Sequence, residues 1–144
     1  MKNILVLFLS LASLVSCQED NSVEPEANAY PQTWQLVKLT GQIPNYIKTG
    51  ADLPWQETYV FQGDSTFTKT RQQGDQLLQA SGTFSLRNFS DGQYATLTYA
   101  AANSIIGSCT TSILKETLVI KANDTLVSTW LACDGPGLEY KRVK

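Results

Sequence analysis

Residues 76–87 read QLLQASGTFSLR and alternate apolar with polar side chains more clearly than any other stretch of the chain. In an extended strand, one face would carry the apolar set Leu78, Ala80, Gly82, Phe84 and Leu86. Because successive side chains of a strand point to opposite faces, this period of two predicts a strand in a sheet with one solvated face. Gly82 would permit the local bend by which a strand coils around a small barrel.

Extended patterns of the same kind continue on both sides of this segment, and no 3.6-residue apolar period is sustained over ten residues. Eight segments result, at residues 33–40, 57–62, 65–72, 76–87, 93–101, 116–122, 125–132 and 138–144. Turn-forming residues separate most of them, and two long loops, 41–56 and 102–115, would lie at one end of a meander. The pattern predicts an all-β fold, an eight-stranded antiparallel up-and-down barrel, with a β-sandwich as the alternative.

The chain begins with a segment typical of secretory signals. Lys2 precedes an apolar run from Ile4 to Leu14, and small residues lead to Cys17. The run is shorter than the roughly 20 residues that a permanent membrane helix needs. Leu14-Val15-Ser16-Cys17 resembles the lipobox of bacterial lipoproteins, in which the cysteine is acylated before cleavage. We therefore expect a signal peptide at 1–16 and lipidation at Cys17; an ordinary signal peptide with a chance cysteine is the alternative.

Residues 17–30 are rich in carboxylates and hold almost nothing to bury, which predicts a flexible acidic tether before a domain at 31–144. Acidic residues directly after the cysteine also resemble the export signal of some Gram-negative lipoproteins, although an acidic spacer would look the same. The expected location is the cell envelope, lipid-anchored in the outer membrane, with the periplasmic face and the outer face as the two alternatives.

Composition excludes several function classes. The 144 residues suffice for one domain, and 11 basic against 13 acidic side chains argue against a nucleic-acid partner. The absence of histidine excludes Ser-His-Asp and Cys-His catalysis and removes the commonest zinc ligand. Asp134 and Glu139 flank the last turn, and paired carboxylates can act as acid and base in catalysis. The sequence Asp-Gly-Pro-Gly, however, is typical of a plain turn. We expect no enzyme activity, metal or cofactor.

Three cysteines leave one without a partner if two of them pair. Cys109 falls in the loop after the fifth segment and Cys133 at the end of the seventh, so a meander brings both to one end of the barrel. A Cys109–Cys133 disulfide is the prediction for an oxidising compartment. Two free thiols or a redox-active pair are the alternative, although no CxxC motif is present.

Short motifs spread along the chain resemble the small lipocalin-like lipoproteins of Gram-negative bacteria. They are Thr33–Leu36, Tyr59–Phe61, Asp64–Phe67, Gly82–Leu86, Asp124–Leu126 and Tyr140–Val143. The resemblance implies that Trp34 on the first strand is packed by Arg142 near the end of the barrel, with Gln32 standing where lipocalins proper have Gly. The opening TWQLVKLTG (33–41) also resembles the start of META-type envelope domains, a second but less favoured family resemblance.

Large aromatic residues with a polar tip are the candidates for ligand binding. They are Tyr46, Trp55, Tyr59, Tyr99, Trp130 and Tyr140. The apolar loop 41–56 would act either as a lid over a cavity or as a plug that extends the core. The expected function is non-catalytic binding of a small apolar or amphipathic ligand by a monomer. The alternative is a filled barrel whose long loops contact another envelope protein or a surface polysaccharide.

Overall fold

The structure, a computed structural model, describes residues 29–143. Its nine strands are β1 (Gln32–Thr40), β2 (Ile47–Thr49), β3 (Gln56–Phe61), β4 (Thr66–Gln73), β5 (Gln76–Phe89), β6 (Gly92–Tyr99), β7 (Lys115–Lys121), β8 (Thr125–Ser128) and β9 (Gly137–Arg142). Short 3-10 helices span Gly50–Asp52 and Trp130–Cys133. The predicted signal peptide, the lipidation at Cys17 and most of the tether lie outside the described residues.

Eight of the strands form a closed antiparallel barrel. From β3 to β9 each strand pairs with the next in the chain, β1 pairs with β3, and β1 also pairs with β9 to close the sheet. The additional strand, β2, pairs with Lys38–Thr40 of β1, beyond the point where the β1–β3 pairing ends. The predicted all-β, eight-stranded up-and-down barrel is confirmed, and closure removes the sheet edges that an open meander would expose.

The meander gives the barrel two different ends. One end, called the terminal end below, carries residues 29–31 and 143 and the tight turns 62–65, 90–91 and 122–124. The other, called the loop end, carries the segments 41–55, 100–114 and 129–136 together with the turn at 74–75. Since consecutive strands run in opposite directions, alternate connections must fall at opposite ends, as the segment order predicts.

The alternation within β5 has the predicted sense, since Ala80 and Phe84 are buried and the intervening polar residues Ser81 and Thr83 are exposed. Gly82, between these two buried residues, lies where β5 and β6 approach each other very closely. A Cβ atom at this position would lie 2.0 Å from the main-chain oxygen of Thr98 on β6. Any larger residue would have to push the neighbouring backbone away, so glycine is what lets the sheet coil tightly here.

A β-bulge in β1 resets which residues point inward. Trp34 and Leu36 are buried, the register with β9 shifts between Leu36 and Lys38, and Leu39 is the next buried residue. Because of the extra residue, two successive side chains, Val37 and Lys38, lie between the inward-pointing Leu36 and Leu39. A strict period of two would have turned Lys38 into the barrel and Leu39 out of it.

The seventh predicted segment, 125–132, is too long. Strand β8 ends at Ser128, Thr129 takes helical backbone angles, and the chain continues as the 3-10 helix Trp130–Cys133. The Trp130 indole packs against two glycines: a Cβ on Gly107 would lie 2.8 Å from it and one on Gly135 2.4 Å. This packing over the loop end takes Trp130 out of the sheet, and neither it nor the short strand β2 is encoded in local alternation.

The predicted Cys109–Cys133 disulfide is present in the structure. The two residues are 24 positions apart in sequence, with their Cα atoms 5.5 Å apart. It ties the loop 100–114 to the 3-10 helix that carries Trp130, and both cysteines are exposed at the loop end. The bridge therefore fixes two loops that the sheet hydrogen bonds do not hold.

Candidate functional site

The half of the barrel interior near the loop end contains charged side chains rather than a cavity. Glu57 of β3, Lys69 of β4 and Glu116 of β7 are almost completely buried. The Lys69 ammonium lies 3.2 Å from a Glu116 oxygen and 3.3 Å from a Glu57 oxygen. It also donates a hydrogen bond of 2.7 Å to the main-chain oxygen of Ile105. A single ammonium thus bridges two buried carboxylates and a loop carbonyl.

A second cation and two tyrosines complete this buried ion network. Arg71 donates to Glu57, and its guanidinium lies 4.3 Å from the ring centre of Trp55. The Tyr140 hydroxyl donates to Glu57 at 2.5 Å, and the Tyr99 hydroxyl donates to Glu116. Two cations face two carboxylates, so the network is neutral, as burial of charge in a low-dielectric interior requires.

Burial raises the pKa of the three tyrosines in this region. For Tyr59 and Tyr99 the nearby charge of Glu116 adds to the effect of desolvation. For Tyr140 desolvation is likewise the main cause of the raised pKa, followed by the charge of Glu57. All three therefore remain neutral over the physiological range, and Tyr99 and Tyr140 serve as hydrogen-bond donors to the carboxylates.

These raised pKa values predict a loss of stability in alkali. A tyrosine whose pKa is higher in the folded than in the unfolded protein stabilises the fold below the unfolded value of about 10 and loses that contribution as the pH rises above it. We expect three of the six tyrosines to ionise only together with unfolding. Tyrosinate absorbance followed with circular dichroism during an alkaline titration measures this. Ionisation of all six while the β signal stays intact would contradict the burial of Tyr59, Tyr99 and Tyr140.

In the described part of the chain, apolar side chains cover the ion network and separate it from solvent. Ile105, from the loop 100–114, is fully buried over it, and Leu53, Trp55, Ile106 and Trp130 pack against the same core. Catalysis by paired carboxylates needs substrate access between them. The arrangement instead holds the strands and the covering loops in place.

Sequence reasoning did not predict this network, although a usable signal was present. In β4, Lys69 and Arg71 have the same parity as the buried Phe67; in β3 and β7, Glu57 and Glu116 have the parity of buried Tyr59 and Leu118. The period of two therefore placed two cations and two carboxylates on the inner face. Pairing could have been inferred from their equal numbers.

The six candidate ligand-binding residues all lie towards the loop end. Tyr59, Tyr99 and Tyr140 are buried in or beside the ion network, and Trp55 covers Arg71. Trp130 packs between two glycine backbones, and Tyr46 is 39% exposed on the surface beside Lys48. The structure brings three of the six together, around carboxylates rather than around a cavity. That these residues bind a ligand stays a prediction.

A cavity of about 300 Å³ lies at the opposite, terminal end of the barrel. Its wall combines buried aromatic residues of the barrel interior with residues from the turn 122–124 and with Tyr30. It is lined by Tyr30, Gln32, Trp34, Phe61, Phe84, Leu86, Gln93, Ile120, Lys121, Ala122, Asn123, Asp124 and Arg142. This volume is at the lower limit of small-molecule sites in proteins.

Trp34 and Arg142, which the family resemblance pairs structurally, both line this cavity and lie opposite each other in the β1–β9 register. The Arg142 guanidinium lies 3.8 Å from an oxygen of Asp124 and donates to the main-chain oxygen of Ala29 at 3.1 Å. Trp34 is almost fully buried, and its indole nitrogen has no hydrogen-bond partner in the described residues. A buried N–H group without a partner is uncommon in folded proteins.

Three other buried polar atoms without a hydrogen-bond partner are found in residues 29–143, on Trp55, Tyr59 and Arg71. These belong to the filled loop-end half, where Arg71 and Tyr59 contact charged neighbours.

Two further depressions have volumes of about 350 Å³ each. One involves residues of β1 and of the Gly50–Asp52 helix, and the other lies on the outer faces of β5 and β6. Of these three spaces among residues 29–143, the terminal-end cavity is the one lined by buried aromatic residues, Trp34, Phe61 and Phe84.

Among residues 29–143 there is no group of three or more His, Cys, Asp or Glu side chains arranged to hold a metal ion. Within the same residues, no helix has the length and apolarity needed to cross a bilayer.

No protein-family model matches the chain, and comparisons with curated proteins and with solved structures gave no significant match. The resemblance to lipocalin-like lipoproteins thus stays a prediction from the quoted motifs.

Proposed function

We propose that the chain is a lipid-anchored cell-envelope protein whose barrel binds a small amphipathic molecule, without catalysis, in the terminal-end cavity. One observation carries the proposal: a space of about 300 Å³ enters the barrel beside the buried Trp34, whose indole N–H has no hydrogen-bond partner among residues 29–143. Ligand sites are concave and mostly apolar, with a few polar groups that orient the ligand. In the loop-end half, the described residues place the buried side chains of Glu57, Lys69 and Glu116 in the interior instead.

The proposed anchor rests on the sequence Leu14–Cys17 and its resemblance to a lipobox. More than one acyl chain would be needed for stable attachment, since a single chain gives marginal membrane binding. Ala29 and Tyr30, the first described residues, lie against the cavity wall. The proposed ligand site is therefore at the end of the barrel nearest to the proposed anchor.

Native mass spectrometry of the full chain, extracted gently from its own envelope, tests the ligand. We expect a reproducible non-covalent mass on the wild type. Ala122→Trp, which places a large side chain at the exposed rim of the cavity, should abolish it, whereas the matched Ala132→Trp at the exposed loop end should retain it. A bare protein mass from repeated extractions, or a mass kept by Ala122→Trp, would contradict the proposal.

The same spectra test the anchor. The expected covalent form begins at Cys17 and carries lipid on that residue. A chain that retains residues 1–16, or an unmodified Cys17, would contradict lipid anchoring without affecting the ligand result.

A specific observation also favours an interaction module as second candidate. Several exposed apolar side chains lie at the loop end, namely Ile43, Ile47, Leu77, Ile113 and Leu131. Contiguous exposed apolar surface is typical of contact sites. A wild type that carries no ligand but is cross-linked to an envelope partner through position 113 would favour this function.

A further inference from the structure

We infer that the outer face of strands β5, β6 and β7 binds an acidic saccharide chain, at a site separate from the terminal-end cavity and from the long loops. A groove in this face combines exposed aromatic rings with hydroxyl groups and a cation that have no partner among residues 29–143.

The groove has a volume of about 350 Å³ and lies on the outside of the barrel. It is lined by Ser85, Arg87, Phe89, Tyr94, Thr96 and Thr117. These residues alternate with the buried Phe84 of β5, Ala95 of β6 and Leu118 of β7, so their side chains point away from the interior. A ligand therefore reaches the groove directly from solvent.

Two aromatic rings form one wall of the groove. Phe89 is 57% exposed, and its ring centre lies 5.1 Å from that of Tyr94 in an edge-to-face arrangement. The Tyr94 hydroxyl donates to a carboxylate oxygen of Asp91 at 2.7 Å, which restrains this ring. The face of an aromatic ring is electron-rich, so it attracts the C–H groups that cover one face of a pyranose. The exposed Phe89 ring thus offers a stacking surface for a sugar.

A row of hydroxyl groups lies beside these rings. Ser85 of β5, Thr96 of β6 and Thr117 of β7 are cross-strand partners and form a row across the three strands. Their side-chain hydroxyls make no hydrogen bond among residues 29–143. Each of them can both donate and accept, as sugar hydroxyls do. A sugar stacked on Phe89 therefore finds partners for its polar edge in this row.

The charges of this face favour an acidic sugar. The outward positions of strands β4 to β7 carry no carboxylate, but they include Arg87, Lys115 and Lys121. The carboxylate of Asp91, in the turn between β5 and β6, accepts the hydrogen bond from Tyr94. Arg87 is exposed and has no ion pair or hydrogen bond among residues 29–143. Because a guanidinium binds a carboxylate through two parallel hydrogen bonds, a sugar acid matches this group.

The spacing of the cations favours a chain over a single sugar. Arg87 pairs with Tyr94 in the row on one side of the hydroxyls, and Lys115 pairs with Thr98 in the row on the other side. Four residues along the strands and two strands across separate these cations, which corresponds to roughly 16 Å. A chain of acidic sugars can contact both cations across the groove.

Other kinds of partner fit this surface less well. An apolar protein face would cover the hydroxyls and Arg87 without supplying hydrogen bonds, and burial of unpaired polar groups is costly. A single-stranded nucleic acid can stack on an aromatic ring, but its phosphates require a denser set of cations than this face carries.

Calorimetric titration of the purified full chain at neutral pH tests the inference with three probes of equal length. An oligogalacturonate has sugar rings and carboxylates, a maltooligosaccharide has only the rings, and an oligoglutamate has only the carboxylates. We expect the oligogalacturonate to bind at least about tenfold more tightly than either other probe, since ring stacking and a charge-assisted hydrogen bond each contribute about that factor. Added salt should weaken its binding, because salt screens the exposed charges.

Variants at two exposed positions assign the binding to the groove. Phe89→Ala should lower the affinity for oligogalacturonate about tenfold, and Arg87→Gln should lower it by a similar factor and reduce its salt dependence. The matched controls Leu77→Ala, at the loop end of β5, and Lys48→Gln, on β2, should keep the wild-type affinity. Ala122→Trp should also keep it, because the groove does not include the rim of the terminal-end cavity.

Failure of the wild type to bind oligogalacturonate would overturn the inference, as would an affinity unchanged in both Phe89→Ala and Arg87→Gln. Equal binding of the maltooligosaccharide would mean that charge is not recognised, and equal binding of the oligoglutamate that the sugar ring is not; either result would also overturn it. A concentration-dependent dimer in analytical ultracentrifugation that Phe89→Ala dissociates would assign the face to a second copy of the chain instead.

Discussion

Replacing Lys69 by methionine should lower the free energy of unfolding by about 3–5 kcal/mol, the usual cost of breaking a buried ion pair by removing one partner. The ammonium is fully buried, contacts Glu57 and Glu116 at 3.2–3.3 Å and holds the Ile105 carbonyl. Methionine fills a similar volume but leaves two buried carboxylates with Arg71 as the remaining cation of the network. Denaturant unfolding at neutral pH, followed by tryptophan fluorescence, measures the loss.

Two further variants separate the charge effect from packing. Lys69→Met combined with Glu116→Gln should recover part of the stability, because one uncompensated charge is removed with its partner. Lys115→Met, at an exposed position next to Glu116 in sequence, should leave stability unchanged. If the free energy of unfolding of Lys69→Met lay within about 1 kcal/mol of the wild-type value, the bridging role of Lys69 would be wrong.

Removing the disulfide with Cys109→Ala and Cys133→Ala should lower the free energy of unfolding by about 3–4 kcal/mol. The bridge closes a loop with a sequence separation of 24 residues, so it restricts the unfolded chain. It also holds the loop 100–114 against the helix that carries Trp130. In addition to lower stability, we therefore expect the double variant to exchange amide hydrogens faster than the wild type does, with a larger increase in 100–114 and 129–136 than in the strands.

The reduced wild type is the control for this double variant. Both cysteines are exposed, so a reductant can reach the bridge under native conditions. Wild type treated with reductant should match the double variant in stability, and reductant should not change the double variant itself. A reduced wild type as stable as the oxidised one would indicate that sheet closure alone holds the loops.

The sequence predicted the barrel well because its evidence is local. Alternation at 76–87 and the turn residues between segments specify strands and hairpins one neighbour at a time, and each strand pairs with the next in the chain. The disulfide followed from the same logic, since the strand order alone brings Cys109 and Cys133 to one end. Strand ends were less well predicted where the chain leaves the sheet, as at Trp130, which packs against Gly107 of another loop as well as against the nearby Gly135.

The candidate site could not be predicted in the same way. The aromatic residues Tyr59, Tyr99 and Tyr140 have the inward parity expected of cavity walls, but parity does not say whether space remains between strands. Glu57 and Glu116 fill that space from strands that are not neighbours in the sheet. The role of Trp34 was assigned to packing with Arg142, and its place beside a cavity depends on Tyr30 and the turn 122–124.

By itself, then, the sequence determined the strand order, the barrel and the cysteine pairing, because period-two patterns and turns act between neighbouring segments. Only the tertiary structure decided which half of the barrel is filled and which is open. That outcome depends on side chains from strands on opposite walls: Lys69 reaches carboxylates on both sides at the loop end, while the rings of Trp34, Phe61 and Phe84 leave space between them at the other. Such volume and charge complementarity across a barrel has no period along the chain.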